Sequence, residues 1–541
     1  MMLTRLVKQI NHPYFYLVLA TLLGAFVGSK WNVPLAAWLA PIFLVRFLRS
    51  QSSQSIRRGF LLAWLLKSLA GYVALKGFVP LPDPFFFGFI FVLMLSDLVP
   101  YLADRIMAPR LGGLLGTLVL PTATVSWAYF NALISPYGSW GAVAYTQVEN
   151  LGLLQSVSVL GMWGIFFLIY WSASMVNWMW EQGVATEQTE WGALRRGVML
   201  YVGILAGLLL LGEARLAFSA PTVETVRVAA IVPSNQPLQD LSMLPRLITG
   251  EPVSDAEIEH LRIESASLND DLFQLTQREA QNGAKLIFWP EASGFILADE
   301  QEALIARAQE LARQEQIYLG MGLGIVHPNA GERHENKLVL IDPTGQVSWQ
   351  YDKSKPVAFG EEPFFVRGDG QMPILDTPYG RIAGAICHDM DHHEFILQAG
   401  DANVDLLFIP TGDWEEIARM HLNMTIMRAV EHGITIVRPT RGGISAAIDP
   451  QGRLISTMDR ADIRFGGTPV GTLLSSSVLL AEVPTTGMST PYSTIKDAFA
   501  WLNVLAFFAL IASLLVQRVR VKPVPEFKLS QNLGFSTRNR E

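Results

Sequence analysis

The chain has 541 residues, half of them hydrophobic and only 16% charged, with a mean hydropathy of +0.29. That is too apolar for an ordinary soluble enzyme, and long enough for two or three domains. The net charge of −7, with no basic patch interleaved with aromatics, gives no footing for nucleic-acid binding, and a single cysteine excludes an intrachain disulfide.

The long apolar runs gather at the two ends. A spanning helix needs about 20 mostly apolar residues. Residues 13–29, 31–48, 59–79, 84–104, 111–134, 151–178 and 197–217 read as seven spans, and 496–517 as an eighth. The first follows Arg5 and Lys8 and lacks a small-residue cleavage site, so it reads as an anchor. The predicted division is a membrane domain at 1–220, a globular domain at 221–490, and a last span with a tail at 491–541. Basic residues set the orientation. With the N-terminus inside, the inner segments carry Arg5, Lys8, Arg49, Arg57, Arg58, Arg105, Arg110, Arg195 and Arg196. The outer ones carry only Lys30, Lys76 and Arg215, and the Ser135–Asn150 loop has no Lys or Arg. Arg518, Arg520 and Lys522 follow the last span on the inner side. The globular domain is therefore expected outside the cytoplasm, with both termini inside. Lys67 and Asp97 lie within spans at similar depth. They can pair, but the reading favoured is that Lys67 snorkels alone while Asp97 faces protein.

Residues 221–490 alternate strand and helix patterns, the mark of an α/β domain. Strands are predicted at 226–233, 285–289, 317–325, 337–341 and 347–351, and then at the run ending in Cys387. Others are predicted at 404–409, near 434–438 and at 443–448. Helices are predicted at 254–282, with Ser254 as N-cap, at 301–314, at 394–400 and at 414–431. Asp342-Pro-Thr-Gly345 reads as a hairpin turn.

Three chemically active residues fall at strand ends: Glu291 in Trp-Pro-Glu, Lys353 in Tyr-Asp-Lys-Ser-Lys, and Cys387. Ligands in α/β sheets gather at such ends. A lone cysteine is more often a small buried hydrophobe, and a lone Glu or Lys is more often solvated surface. Together the three have a chemical reading. Cys387 attacks a carbonyl, Glu291 takes its proton, and Lys353 with a backbone N–H steadies the oxyanion. The strand-to-helix corner is expected to favour the Cys387 thiolate.

Residues 224–485 resemble the nitrilase (carbon–nitrogen hydrolase) superfamily, whose fold is a four-layer αββα sandwich with a Glu–Lys–Cys triad. The membrane context narrows this to a resemblance to the apolipoprotein N-acyltransferases. It is carried by Tyr351-Asp-Lys-Ser-Lys-Pro-Val-Ala-Phe-Gly-Glu361, by Tyr145–Asn150 through Gly161-Met-Trp-Gly-Ile-Phe-Phe167, by Arg428-Ala-Val-Glu431 and by Gly443–Pro450. The resemblance implies that Glu291, Lys353 and Cys387 are the triad and that Glu361 is a further active-site carboxylate. His388 and Asp389 stand where the family has Tyr and Glu after its cysteine. Gly412-Asp413-Trp414 and Arg441-Gly442 also depart from its usual loops.

The implied reaction moves an acyl chain from a phospholipid, through a Cys387 thioester, to the N-terminal amine of a diacylglyceryl-modified apolipoprotein. It needs no cofactor or metal. The implied place is a bacterial cytoplasmic membrane, among membrane lipids, with no nucleic-acid partner and a monomeric chain. The competing readings are a membrane-tethered amidase, in which water replaces the amine, and a non-catalytic scaffold, against which the intact triad argues. Phe364-Phe365-Val366 is open to two readings: a lid reaching the membrane surface, or part of the domain core.

Overall fold

Two regions of different chemistry meet in the computed structural model, which describes residues 12–79, 81–184, 191–219, 224–233, 243–328, 331–460 and 477–520. Arg5, Lys8 and Lys522, three charges of the orientation argument, lie outside these residues.

The apolar ends of the chain are helical. Five helices are long and apolar enough to cross a membrane: Ile56–Leu75, Asp83–Leu111, Gly113–Ile134, Gly192–Phe218 and Ala498–Gln517. A sixth counts if Leu151–Leu160 and Met162–Gln182 form one bent span. Leu61, Leu69, Phe85, Val92, Leu210, Leu211 and Phe508 are exposed, which suits helices facing lipid rather than water. At the first two expected spans the helices are Pro13–Gly24 and Pro34–Ser50. Both are shorter than the roughly 20 residues of a perpendicular crossing.

Two sequence expectations need correction here. The span expected at 151–178 is broken, its two pieces meeting at 115°. Gly161 takes φ +61° at the corner, and a Cβ there would lie 2.5 Å from the Tyr492 ring. The Met162 N–H, freed by the break, donates to Glu431 Oε1 at 2.7 Å. The helix turns where the globular part packs into its corner. Lys67 and Asp97, expected to lie apart, are paired at 2.6 Å, Nζ to Oδ2. Asp97 ends the Asp83–Ser96 helix, which packs beside Ile56–Leu75. Leaving one such charge alone in the bilayer costs about 3 kcal/mol on insertion scales, so pairing wins over separate placement.

The globular region builds two sheets. Its strands are β1 (Thr225–Val232), β2 (Leu286–Phe288), β3 (Gly294–Leu297), β4 (Tyr318–Val326), β5 (Glu335–Ile341), β6 (Val347–Asp352), β7 (Ile374–Thr377), β8 (Gly380–Gly384), β9 (Leu406–Phe408), β10 (Thr435–Arg438), β11 (Gly443–Ile448), β12 (Leu454–Arg460) and β13 (Ser477–Pro484). One sheet runs β13-β1-β2-β4-β5-β6, with β3 paired to β4, and the other β12-β11-β10-β9-β8-β7. β2 and β4 are buried along their whole length, as strands covered on both faces must be. The sheets face each other: Phe288 on β2 stacks on Phe408 of β9, centroids 4.1 Å apart. Asp255–Gln281 and Gln301–Glu315 cover the first sheet, and His393–Asp401 and Glu415–His432 accompany the second. This is the four-layer αββα order. Ser254 caps its helix in a capping box with Glu257, as the sequence indicated.

Buried polar contacts join the two regions. Arg428 donates to Ser139 Oγ at 2.8 Å and to Tyr145 Oη at 3.0 Å, and pairs with Glu431 at 2.5 Å. Ser139 donates through Oγ to the Asp391 carbonyl at 2.6 Å. The loop at 135–150 thus rests against the turn that follows Cys387.

Candidate active site

The ends of β2, β6 and β8 deliver Glu291, Lys353 and Cys387 to one point. Lys353 is 1% exposed and its Nζ donates to Glu291 Oε1 at 2.8 Å and to Glu361 Oε2 at 2.7 Å. Glu291 Oε1 also accepts from Asn336 Nδ2 at 2.7 Å, and the buried Cys387 thiol is an electrostatic neighbour of the same carboxylate. Glu361, 25% exposed, is fixed by the Val357 N–H at 2.8 Å. All four charged or nucleophilic residues that the sequence singled out are brought together.

The backbone at this point is strained. Cys387 has φ +45° and Ala292, next to Glu291, has φ +48°. Such non-glycine values cost about 1–3 kcal/mol and persist where surrounding structure enforces them. Cys387 is enforced by its N–H on the Pro410 carbonyl at 3.0 Å and by the Asp389 side chain. Close packing also limits Gly412, where a Cβ would come within 3.1 Å of Glu291 Oε2.

The protonation states follow from burial and partners. Burial and the neighbouring Glu291 carboxylate push the Cys387 thiol well above its usual value, against the Lys353 ammonium and the Gly412 N–H. The thiolate expected from a strand-to-helix corner is therefore not the resting form. The turn Cys387–Asp391 is a 3-10 turn, the α-helix begins only at His393, and burial outweighs its N–H groups. Burial works to raise Glu291 too, but Lys353, Asn336 and the thiol hold its carboxyl below the ordinary value. Burial alone would lower the Lys353 ammonium, yet Glu291 and Glu361 raise it well above its usual value. At neutral pH the site holds a thiol, a carboxylate and an ammonium.

His388 and Asp389 sit behind this point. Burial takes His388 down to about 4, and its Nδ1 bonds the Lys355 carbonyl at 2.9 Å. Asp389 accepts from the Ile386 N–H at 2.8 Å, the Lys355 N–H at 2.8 Å and Tyr351 Oη at 2.7 Å. Burial lifts its carboxyl to about 6. It ties the cysteine turn to the lysine loop, with both oxygens engaged.

Asn336, Tyr351 and His421 escaped the sequence reading; each stands among other polar residues of its strand or helix, without spacing to betray it. Gly412, Asp413 and Arg441 showed only as departures from the resemblance. Arg441 donates to the Ala292 carbonyl at 3.3 Å, beside Glu291. Cys387 Sγ, an Asp413 oxygen and a His421 nitrogen lie within 4.8 Å of one another, the one group of metal-like spacing among the described residues. The Asp413 oxygens are engaged by His421 and by the Arg438 guanidinium. The trio reads as a hydrogen-bonded chain of charges with a cation already in it.

Phe364, Phe365 and Val366 are half-buried. Phe364 and Val366 exchange backbone hydrogen bonds with His334, and the Phe365 ring lies against the His334 ring. The exposed apolar tip is Phe359, 71% exposed at φ +64°.

The chain is similar to several known proteins. Residues 253–462 match the sequence family described as Carbon-nitrogen hydrolase. An apolipoprotein N-acyltransferase of Geobacter metallireducens is 26% identical over 93% of this chain and 95% of its own length. One of Sinorhizobium medicae is 27% identical over 69% of this chain and 68% of its own. Among solved structures, an amidase from Nesterenkonia sp. aligns at 19% identity and a TM-score of 0.39, over 52% of this chain and 96% of its own. Residues 253–462 are a carbon-nitrogen hydrolase domain, and the chain as a whole is a membrane-protein homologue of the apolipoprotein N-acyltransferases.

Proposed function

We propose that the protein transfers a fatty acyl chain from a phospholipid to the N-terminal amine of a diacylglyceryl-modified apolipoprotein, with Glu291, Lys353 and Cys387 as its catalytic residues. The observation that carries this reading is the burial of Cys387 beside Glu291, itself held at 2.8 Å by Lys353, in a chain homologous to acyltransferases over nearly its whole length. The neutral thiol gives its proton to Glu291 as sulfur attacks the ester carbonyl. Lys353 and the Gly412 N–H face the charge that develops on the carbonyl oxygen. Collapse breaks the C–O bond, and the proton returns from Glu291 to the departing lysophospholipid oxygen. The acceptor amine then attacks the thioester, loses a proton to Glu291 and regenerates the thiol. Both substrates are lipids, which accounts for a catalytic domain held between spans. The domain division at 220 and 490, a place in a bacterial cytoplasmic membrane with this domain outside, and the role of Glu361 in the amine step belong to the same reading.

The test is intact-protein mass spectrometry of the full chain with phospholipid and no acceptor. One acyl mass on Cys387 is expected, discharged onto the amine of an added diacylglyceryl-cysteine peptide. An acyl mass lost equally fast in water alone would favour an amidase; none at all on the wild type would end the proposal.

A further inference from the structure

Behind Cys387 runs a buried chain of charge that the reaction above does not use. His421, on the Glu415–His432 helix, is 4% exposed. Its Nδ1 lies 2.6 Å from Asp413 Oδ1 and 3.2 Å from the Arg438 guanidinium, and its Nε2, which makes no hydrogen bond among the described residues, lies 3.5 Å from Asp391 Oδ2. The two carboxylates belong to different loops. Asp391 closes the turn that begins at Cys387. Asp413 follows Gly412, whose N–H favours the charged form of the Cys387 sulfur. One imidazole ring therefore spans the segment that holds the nucleophile and the segment that offers it an N–H.

The partners on either side make its charge matter. Asp413 has a second cation in Arg438 on β10. Asp391 faces His421, His392 and, at 3.8 Å, the neutral His388. Asp391 Oδ1 has no hydrogen-bond partner among the described residues. A buried carboxylate stripped of its counter-ion is strongly unfavourable. Loss of the proton from His421 would leave Asp391 in that state and release the turn from the loop. Burial alone would lower His421, but Asp413 and then Asp391 raise it to about 9.

We infer that His421 is a positioning residue for acylation of Cys387: as an imidazolium clasped between Asp391 and Asp413, it fixes the sulfur against the Gly412 N–H. The inference rests on the proposed role of Cys387 as nucleophile. In the step concerned the S–C bond forms, the ester C–O bond breaks, and the thiol proton passes by way of Glu291 to the leaving oxygen. His421 neither gives nor takes a proton in it.

The test follows acyl-enzyme formation on the full chain from p-nitrophenyl butyrate and, separately, from phospholipid, by intact mass between pH 6.5 and 10. Cys387, Lys353 and Tyr351 are each raised above their ordinary values and Glu291 is lowered below its own, so a fall on the alkaline side that is absent in His421→Gln reports His421. The wild-type rate is expected to drop about tenfold by pH 10, as a group of this pKa loses its proton. His421→Gln, neutral at every pH, should acylate about 100-fold more slowly at pH 7.5, the cost of a small misplacement. Its half-saturating ester concentration should not change and its alkaline fall should be absent. A wild-type rate that keeps rising through pH 10 overturns the inference even if the variant does not fold. So does a variant with the wild-type rate or the wild-type alkaline fall, and so does failure of the ester to acylate Cys387. Acylation by the ester with this pH profile, but not by phospholipid, leaves the inference standing and sinks the proposed donor instead.

Discussion

At the scale of single residues, one ammonium serves two carboxylates. Lys353 neutralises Glu291 and Glu361 at 2.8 and 2.7 Å, and the thiol remains protonated until a substrate arrives. Glu291→Gln should slow acylation about 10²–10⁴-fold, the contribution of a general base, and Lys353→Ala about 10²–10³-fold. Asn336→Ala leaves the base in place but removes its second donor. It should cost about tenfold, the worth of one hydrogen bond to a charged group. All three are read as the rate of acyl-mass gain, with circular dichroism to confirm the fold. Equal rates for Glu291→Gln and wild type would show that another group takes the proton. His421 also couples stability to pH. Its folded pKa, about 9, exceeds the unfolded value of about 6.5. Its stabilisation is therefore complete below about pH 6.5 and is lost as pH rises through about 9. The unfolding temperature should fall across that window in wild type, and the fall should be shallower in His421→Gln.

At the scale of elements, legibility followed burial. β1, β2, β4 and β9 are short continuous apolar runs between turn residues, and their positions are plain in the sequence. β7, β12 and β13 are not: they lie at or near the sheet edges, where half-exposed residues blur the pattern. β3 is four residues long and follows the Glu291 loop directly. The functional residues split the same way. Glu291, Lys353 and Cys387 announce themselves at strand ends and Glu361 came only through the resemblance, whereas Asn336 lies within β5 and means nothing until the fold places it beside Glu291. The Lys67–Asp97 pair was misread because spacing gives depth in a span but not rotation about its axis. Since the two are bonded at 2.6 Å, Lys67→Leu should lower the amount of protein in the membrane by leaving Asp97 alone. The exchange Lys67→Asp with Asp97→Lys should recover it. Quantitative immunoblotting of membranes checks this, and a double variant no better than Lys67→Leu would show that the contact contributes nothing.

At the scale of the whole molecule, the proposed topology, read from the distribution of Lys and Arg, has residues 218–495 outside the cytoplasm. Protease added to intact spheroplasts should digest this region and spare an epitope placed at the N-terminus; the opposite pattern would invert the topology. The seam between the two regions has a further consequence. Arg428 and Glu431 on one side are completed by Ser139, Tyr145 and Met162 on the other. Cut free, the α/β unit would carry a guanidinium and a carboxylate on a face shaped for helices that are no longer there. The two regions are therefore not interchangeable parts. A recombination event that joined this α/β unit to a foreign set of spans would have to bring the Ser139 loop and the Gly161 corner with it. Descent within such a lineage should keep the halves together as a single inheritance.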